Sequence, residues 1–158
     1  MKKFKVGLIA ALCAAAMVLT TACSSTPGTS DSASGGTSDK VGVGFIFIGT
    51  RDDYGYNQAA YEGSLAVEEQ LGDRVTIYRQ ENIPETSEAT RALDQMIQQG
   101  ATILFPTSYG HLDPALESAE EHPECIFFHQ GGLKTADNLG TYFGTIWESF
   151  YLCGMAAG

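Results

Sequence analysis

From Lys40 onward the chain alternates between two hydrophobic rhythms. Val41-Gly-Val-Gly-Phe-Ile-Phe-Ile48 is a continuous apolar run rich in β-branched and aromatic residues, which predicts a strand covered on both faces. Gly49–Gly55 carries turn chemistry. From Tyr56 to Leu71, Ala60, Ser64, Val67 and Leu71 fall on one helical stripe, and Gly72 is placed to stop the helix. Arg74–Gln80 switches to period two, with Val75, Ile77 and Arg79 against Thr76 and Tyr78, a second strand. Glu85–Gln99 returns to helical spacing, turning Ala89, Leu93, Met96 and Ile97 inward before Gly100. Thr102–Pro106 and Cys125–His129 predict a third and a fourth strand, and Leu139–Phe143 a short fifth. Asp113-Pro114 opens a helix to Glu121, with Asp as N-cap and Pro in the first turn. Thr145–Ala157 predicts a last helix that is apolar almost all round. Such a helix needs cover on most sides, so the expectation is that the chain is the first part of a longer protein. Strand–helix alternation at these spacings predicts an α/β fold, a parallel sheet with helices on both faces.

The region before Lys40 has a different grammar. Lys2, Lys3 and Lys5 precede the apolar run Val6–Leu19, then Thr20-Thr21-Ala22-Cys23. A basic start, a short apolar stretch and small residues before a cut site predict a signal peptide over residues 1–22. Cys23 follows in the position of a lipobox cysteine, to be lipidated with palmitate-type acyl chains and become the mature N-terminus. The pattern usually has Leu three residues before the cysteine; here Thr20 stands there and Leu19 one place further back. The Val6–Leu19 run, 14 residues, is too short to span a bilayer. Residues 23–39, almost wholly Ser, Thr, Gly, Asp, Ala and Pro after the cysteine, read as a flexible tether. The expectation is a protein lipid-anchored on the extracytoplasmic face of the cell membrane.

Charge narrows the partners. The 158 residues carry a net −10, and without the three N-terminal lysines six basic residues face 19 acidic ones, a balance of −13. A surface this negative repels phosphate backbones, which excludes nucleic acid as a partner. Four cysteines do not make a disulfide scaffold. Cys125 and Cys153 read as buried thiols, with pairing between them left open by the export signal.

Catalytic and cofactor signatures are absent from the sequence. Gly42-Val-Gly44 starts like a dinucleotide fingerprint, but the third glycine would fall at Phe47. His111, His122 and His129 form no metal-ligand spacing, and Cys125 with His129 supplies only two ligands on one strand face. There is no Gly-x-Ser-x-Gly elbow. Neither a catalytic residue, a metal nor a cofactor is predicted. What remains is polar and aromatic side chains after strand ends, where open α/β sheets bind ligands. These are Asp53, Tyr56 and Asn57 after the first strand, Ser108, Tyr109 and Asp113 after the third, and His129-Gln-Gly-Gly132 after the fourth. An aromatic ring beside an amide suits a planar heterocycle, one face stacked and its edge hydrogen-bonded. Plain structural roles compete: Asp53 and Asp113 as helix caps, Tyr56 as a hydrophobic staple.

Asp53-Tyr-Gly-Tyr-Asn-Gln-Ala-Ala-Tyr-Glu-Gly63 resembles the first helix start of the basic membrane protein family, substrate-binding lipoproteins of ABC importers that include purine nucleoside receptors. Lys134-Thr-Ala-Asp-Asn-Leu-Gly-Thr-Tyr-Phe-Gly-Thr-Ile-Trp-Glu148 and Tyr151-Leu-Cys-Gly-Met-Ala-Ala-Gly158 resemble the family's approach to its interlobe crossing. The resemblance covers residues 40–158. It implies a type I periplasmic-binding-protein fold of two α/β lobes, of which this is the N-terminal lobe without the second. It implies a purine nucleoside or base seated on Tyr56 with polar help from Asn57, and contacts from Asp53 and the loop carrying Ser108, Tyr109 and Asp113. It further implies ABC permease and ATPase subunits as partners and binding without turnover. A membrane-anchored ligand sensor shares these features. An exported nucleoside- or sugar-processing enzyme would need a carboxylate cluster, for which Asp52-Asp53 is thin support.

Overall fold

The computed structural model describes residues 40–158. The signal peptide over 1–22, lipidation of Cys23 and the tether over 23–39 lie outside the described residues. Five strands form one parallel sheet: β1 (Val41–Ile46), β2 (Val75–Gln80), β3 (Ala101–Pro106), β4 (Ile126–Gln130) and β5 (Leu139–Tyr142), in the order β2-β1-β3-β4-β5. The predicted α/β class is therefore observed. Between them lie α1 (Tyr56–Leu71), α2 (Ser87–Gln98) and α3 (Leu112–Glu121), and α4 (Ile146–Ala157) follows β5.

Alternation along β1 divides the core. Val43, Phe45 and Phe47 point to one face, where they meet Ala60, Tyr61, Val67 and Leu71 of α1. Ile46 points to the other, into a larger cluster with Leu93 and Met96 of α2, Ala115 and Ala119 of α3, and Phe127 of β4. Helices thus cover both faces, as a parallel sheet requires. Gly42 and Gly44 are part of this fit. A Cβ on Gly42 would run into the Gly100 carbonyl, and one on Gly44 would come within 2.7 Å of Leu104 and Met96.

Three expectations are corrected. Asp113 is not the N-cap of α3. A 3-10 turn over Tyr109–His111 extends the helical path backwards, with Ser108 as its cap, so Asp113 already lies inside the first turn of α3. Its carboxylate instead accepts from Lys134 Nζ at 2.7 Å. Cys153 is exposed and unpaired, while Cys125 is buried and free. The helix predicted from Glu85 begins two residues later at Ser87, because Thr86 Oγ1 accepts from the Glu88 N–H at 3.3 Å and leaves Glu85 in the preceding loop. Helix α4 does form, and its apolar residues, Trp147 and Phe150 among them, are exposed. Among the described residues no helix is long and apolar enough to cross a membrane.

Candidate ligand-binding site

The chain reverses direction across the sheet between β1 and β3: β2 lies to one side of β1, and every later strand lies to the other. The crevice beyond the carboxyl ends of strands at such a switch point is where open α/β folds bind ligands. The loops after β1 and β3 meet there, and they carry the sequence-predicted residues.

The loop after β1 is built around one carboxylate. Asp53 accepts from the Gly55 N–H (2.9 Å), the Asn57 N–H (3.1 Å), the Gln58 N–H (3.0 Å) and Asn57 Nδ2 (2.8 Å). These donors, with the Gln58 N–H strongest, hold its pKa at about 2. Asp53 therefore caps α1 from outside, satisfying N–H groups that the first helical turn leaves free. Asn57 is buried, and its Oδ1 accepts from the Gly49 N–H at 3.2 Å. This side chain ties the two ends of the loop together. With the loop pinned so, Tyr54 sits at φ 55°, left-handed and almost fully exposed.

Tyr56 opens α1 and is 40% exposed. Burial of the rest raises its phenol pKa, and the neighbouring Gln130 amide acts the other way. Gln130 Oε1 also accepts from the Tyr142 hydroxyl at 3.2 Å, and burial pushes the Tyr142 phenol up to about 12. Tyr56, Gln130 and Tyr142 thus gather at the ends of α1, β4 and β5. Beside them a recess of about 330 Å³ runs along α1, lined by Phe45, Ala60, Phe105, Thr107, Gln130 and Tyr142. Its volume falls in the range of about 300–1,000 Å³ usual for small-ligand pockets. A larger concavity, about 710 Å³, lies between α3 and the segment before β5. Its one amide, Asn138, is committed to the carbonyls of Ala119, His122 and Cys125 at 2.9, 3.1 and 3.0 Å.

The loop after β3 is held by two buried histidines and one exposed carboxylate acting on one residue. Ser108 Oγ donates to Glu85 Oε1 at 2.6 Å, its N–H donates to His111 Nδ1 at 3.4 Å, and its carbonyl accepts from His129 Nε2 at 2.8 Å. His111 Nε2 then donates to the Ile83 carbonyl at 2.9 Å. Both histidines are fully buried, and desolvation lowers both pKa values. His129 Nδ1 has no partner among the described residues and faces Gly132, where a Cβ would collide with it. Tyr109 stands exposed on the 3-10 turn. Asp113 and Lys134 pair beyond it, beside a small recess shared with Tyr109.

Of the residues predicted from sequence, Tyr56 and Ser108 lie at the crevice, Asp53 and Asn57 shape the loop behind Tyr56, and Tyr109 and Asp113 stand further out. Gln130 falls in the predicted His129–Gly132 segment, whereas sequence reasoning missed Glu85 and Tyr142. Glu85 had been absorbed into the predicted helix, and Gln130 and Tyr142 become neighbours only through the register that pairs them across β4 and β5.

The buried histidines make stability depend on pH. Because their native pKa values are depressed, the unfolded chain binds more protons once pH falls below the free-histidine value of about 6.5. Stability is therefore full above that pH and declines as pH drops below it. A second decline follows below about pH 4, where the unfolded carboxylates take up protons that Asp53 and Glu85, both depressed, refuse. Urea midpoints at pH 7.5, 5.5 and 4 should fall in that order. Equal midpoints at pH 7.5 and 5.5 would contradict the buried neutral imidazoles.

The sheet and its switch point have the fold of part of solved periplasmic binding proteins. A solved ABC transporter solute-binding protein from Conexibacter woesei superposes with TM-score 0.58 at 18% identity, over 65% of this chain and 35% of that one. Residues 40–158 match the family described as ABC transporter substrate-binding protein PnrA-like, and the chain belongs to that family. It is 34% identical to a purine-binding protein of Brucella abortus, over 75% of this chain and 34% of that protein. It is 33% identical to a Haloferax volcanii protein whose name assigns it to ABC transport of glucose, over 76% of this chain and 30% of that protein. The chain spans about a third of the length of these relatives. The family is one of extracytoplasmic substrate-binding proteins, not of enzymes.

Proposed function

We propose that this chain contributes the first-lobe wall of a purine site in an extracytoplasmic lipoprotein that delivers purine nucleosides or bases to an ABC permease and its ATPase. The observation that carries this reading is the half-exposed Tyr56 ring beside the Gln130 amide at the switch-point crevice. A ring to stack on and an amide offering both donor and acceptor match a purine's face and edge. The similarity to the Brucella purine-binding protein supports the same ligand class. Asp53 and Asn57 act behind Tyr56, fixing the angle at which it meets the ligand. Ser108 borders the crevice from the β3 side, while Tyr109 stands further out and Asp113 pairs with Lys134. A sugar is the second reading, favoured by the Haloferax relative.

Binding leaves the ligand unchanged in this account. Inosine incubated with the protein and recovered by chromatography should be intact; release of free base or ribose would favour an exported hydrolase instead. Lipidation of Cys23 gives a separate expectation. Cys23→Ala should release the protein from membranes or block its maturation, because a diacylglyceryl group anchors far more durably than one chain. Membrane retention of the alanine variant would remove the lipoprotein assignment.

A further inference from the structure

The carboxylate of Glu85 is unaccounted for by the purine face and edge. Its Oε1 accepts from Ser108 Oγ at 2.6 Å and from the Gly110 N–H at 2.8 Å. No hydrogen bond or ion pair among the described residues engages Oε2. The carboxylate lies close over the loop backbone: a Cβ on Gly110 would lie 2.7 Å from both of its oxygens. Ser108 is in turn fixed by His111 and His129 from beneath. The two donors lower the pKa of Glu85, so the group is ionised at neutral pH, and its charge reaches the Tyr56 phenol. The result is an exposed acceptor held by two hydrogen bonds, uncompensated by a cation, on the Ser108 side of the crevice.

An ionised carboxylate can only accept hydrogen bonds. It repels phosphate, and it favours neutral ligands rich in hydroxyl donors. We propose that Glu85 Oε2 accepts a sugar hydroxyl of the ligand, making Glu85 the residue that selects sugar-bearing purines over free bases. This rests on the reading of the crevice as a purine site and narrows it to nucleosides. Glucose shares the hydroxyl chemistry, so the same residue serves either named ligand class.

The test titrates the full chain and its Glu85→Gln variant with inosine, hypoxanthine and glucose, read by saturation-transfer NMR and calorimetry. Glutamine keeps an oxygen for Ser108 and Gly110 but removes the charge, and an unchanged melting temperature verifies that the loop is intact. Loss of a charged hydrogen bond should weaken inosine about 10- to 100-fold. Hypoxanthine affinity should stay within about twofold, since the base makes no such bond. Equal losses for inosine and hypoxanthine, or no loss for either, would overturn the assignment. Glucose binding that is lost in the variant, with no purine bound by the wild type, would sink the purine reading and uphold Glu85 as the hydroxyl acceptor. Silence with all three probes would overturn both.

Discussion

Phe127→Ala should lower the unfolding free energy by about 3–5 kcal/mol, the usual cost of emptying a fully buried aromatic site. Phe127 is completely buried, on the middle of β4, paired with Leu104 of β3 on one side and Leu139 of β5 on the other. It belongs to the cluster that joins α2 and α3 to the sheet. Backbone neighbours fixed by strand pairing cannot collapse freely into the vacancy, so the loss belongs toward the upper part of that range. A domain of this size has only about 5–15 kcal/mol in total, so the variant should unfold at a much lower urea concentration. The crevice should suffer with it, because Gln130 and the His129 bond to Ser108 follow on the same strand. A loss below about 1 kcal/mol, within the range of an exposed substitution, would mean the cluster is not packed as described.

The second large effect falls on binding alone. Tyr56→Ala should weaken purine affinity by roughly 1–3 kcal/mol, the range measured for base–aromatic stacking. The fold should be little affected, because the ring is partly exposed and α1 is anchored by Asp53 rather than by Tyr56. Tyr56→Phe should retain most of the affinity while removing only the phenol hydroxyl, which separates stacking from the hydroxyl. Calorimetric titration of the three proteins with inosine checks this; equal affinity for the alanine variant and the wild type would remove Tyr56 from the site.

The fold was legible where patterning is set by burial on two faces or along one stripe. The predicted extent Tyr56–Leu71 for α1 matches the structure, because Gly72 and the Gly-rich loop before Tyr56 bound a single stripe. Errors arose where two local signals compete. Asp113-Pro114 is a good helix start, yet Ser108 lies three residues before His111 and captures the capping role through a reciprocal pair of bonds. Thr86 likewise out-competes Glu85 as the start of α2, and that shift of two residues turns a nominal helix residue into an edge carboxylate. Helix α4 was read from its composition as needing cover on most sides, and its apolar residues stand exposed among the described residues. The site was half legible. Tyr56 at the start of α1 and Ser108 both follow closely on strand ends, a position sequence can mark. Gln130 and Tyr142 depend on strand register, a long-range property.

The central claim is that the switch-point crevice takes a purine through Tyr56, and a titration of the 158-residue chain against inosine, glucose and leucine tests it most directly. The account predicts saturable binding of inosine that weakens about fivefold or more in Tyr56→Ala. Leucine should give no signal, and glucose should bind less tightly than inosine. Binding of glucose or leucine with no binding of inosine would contradict it.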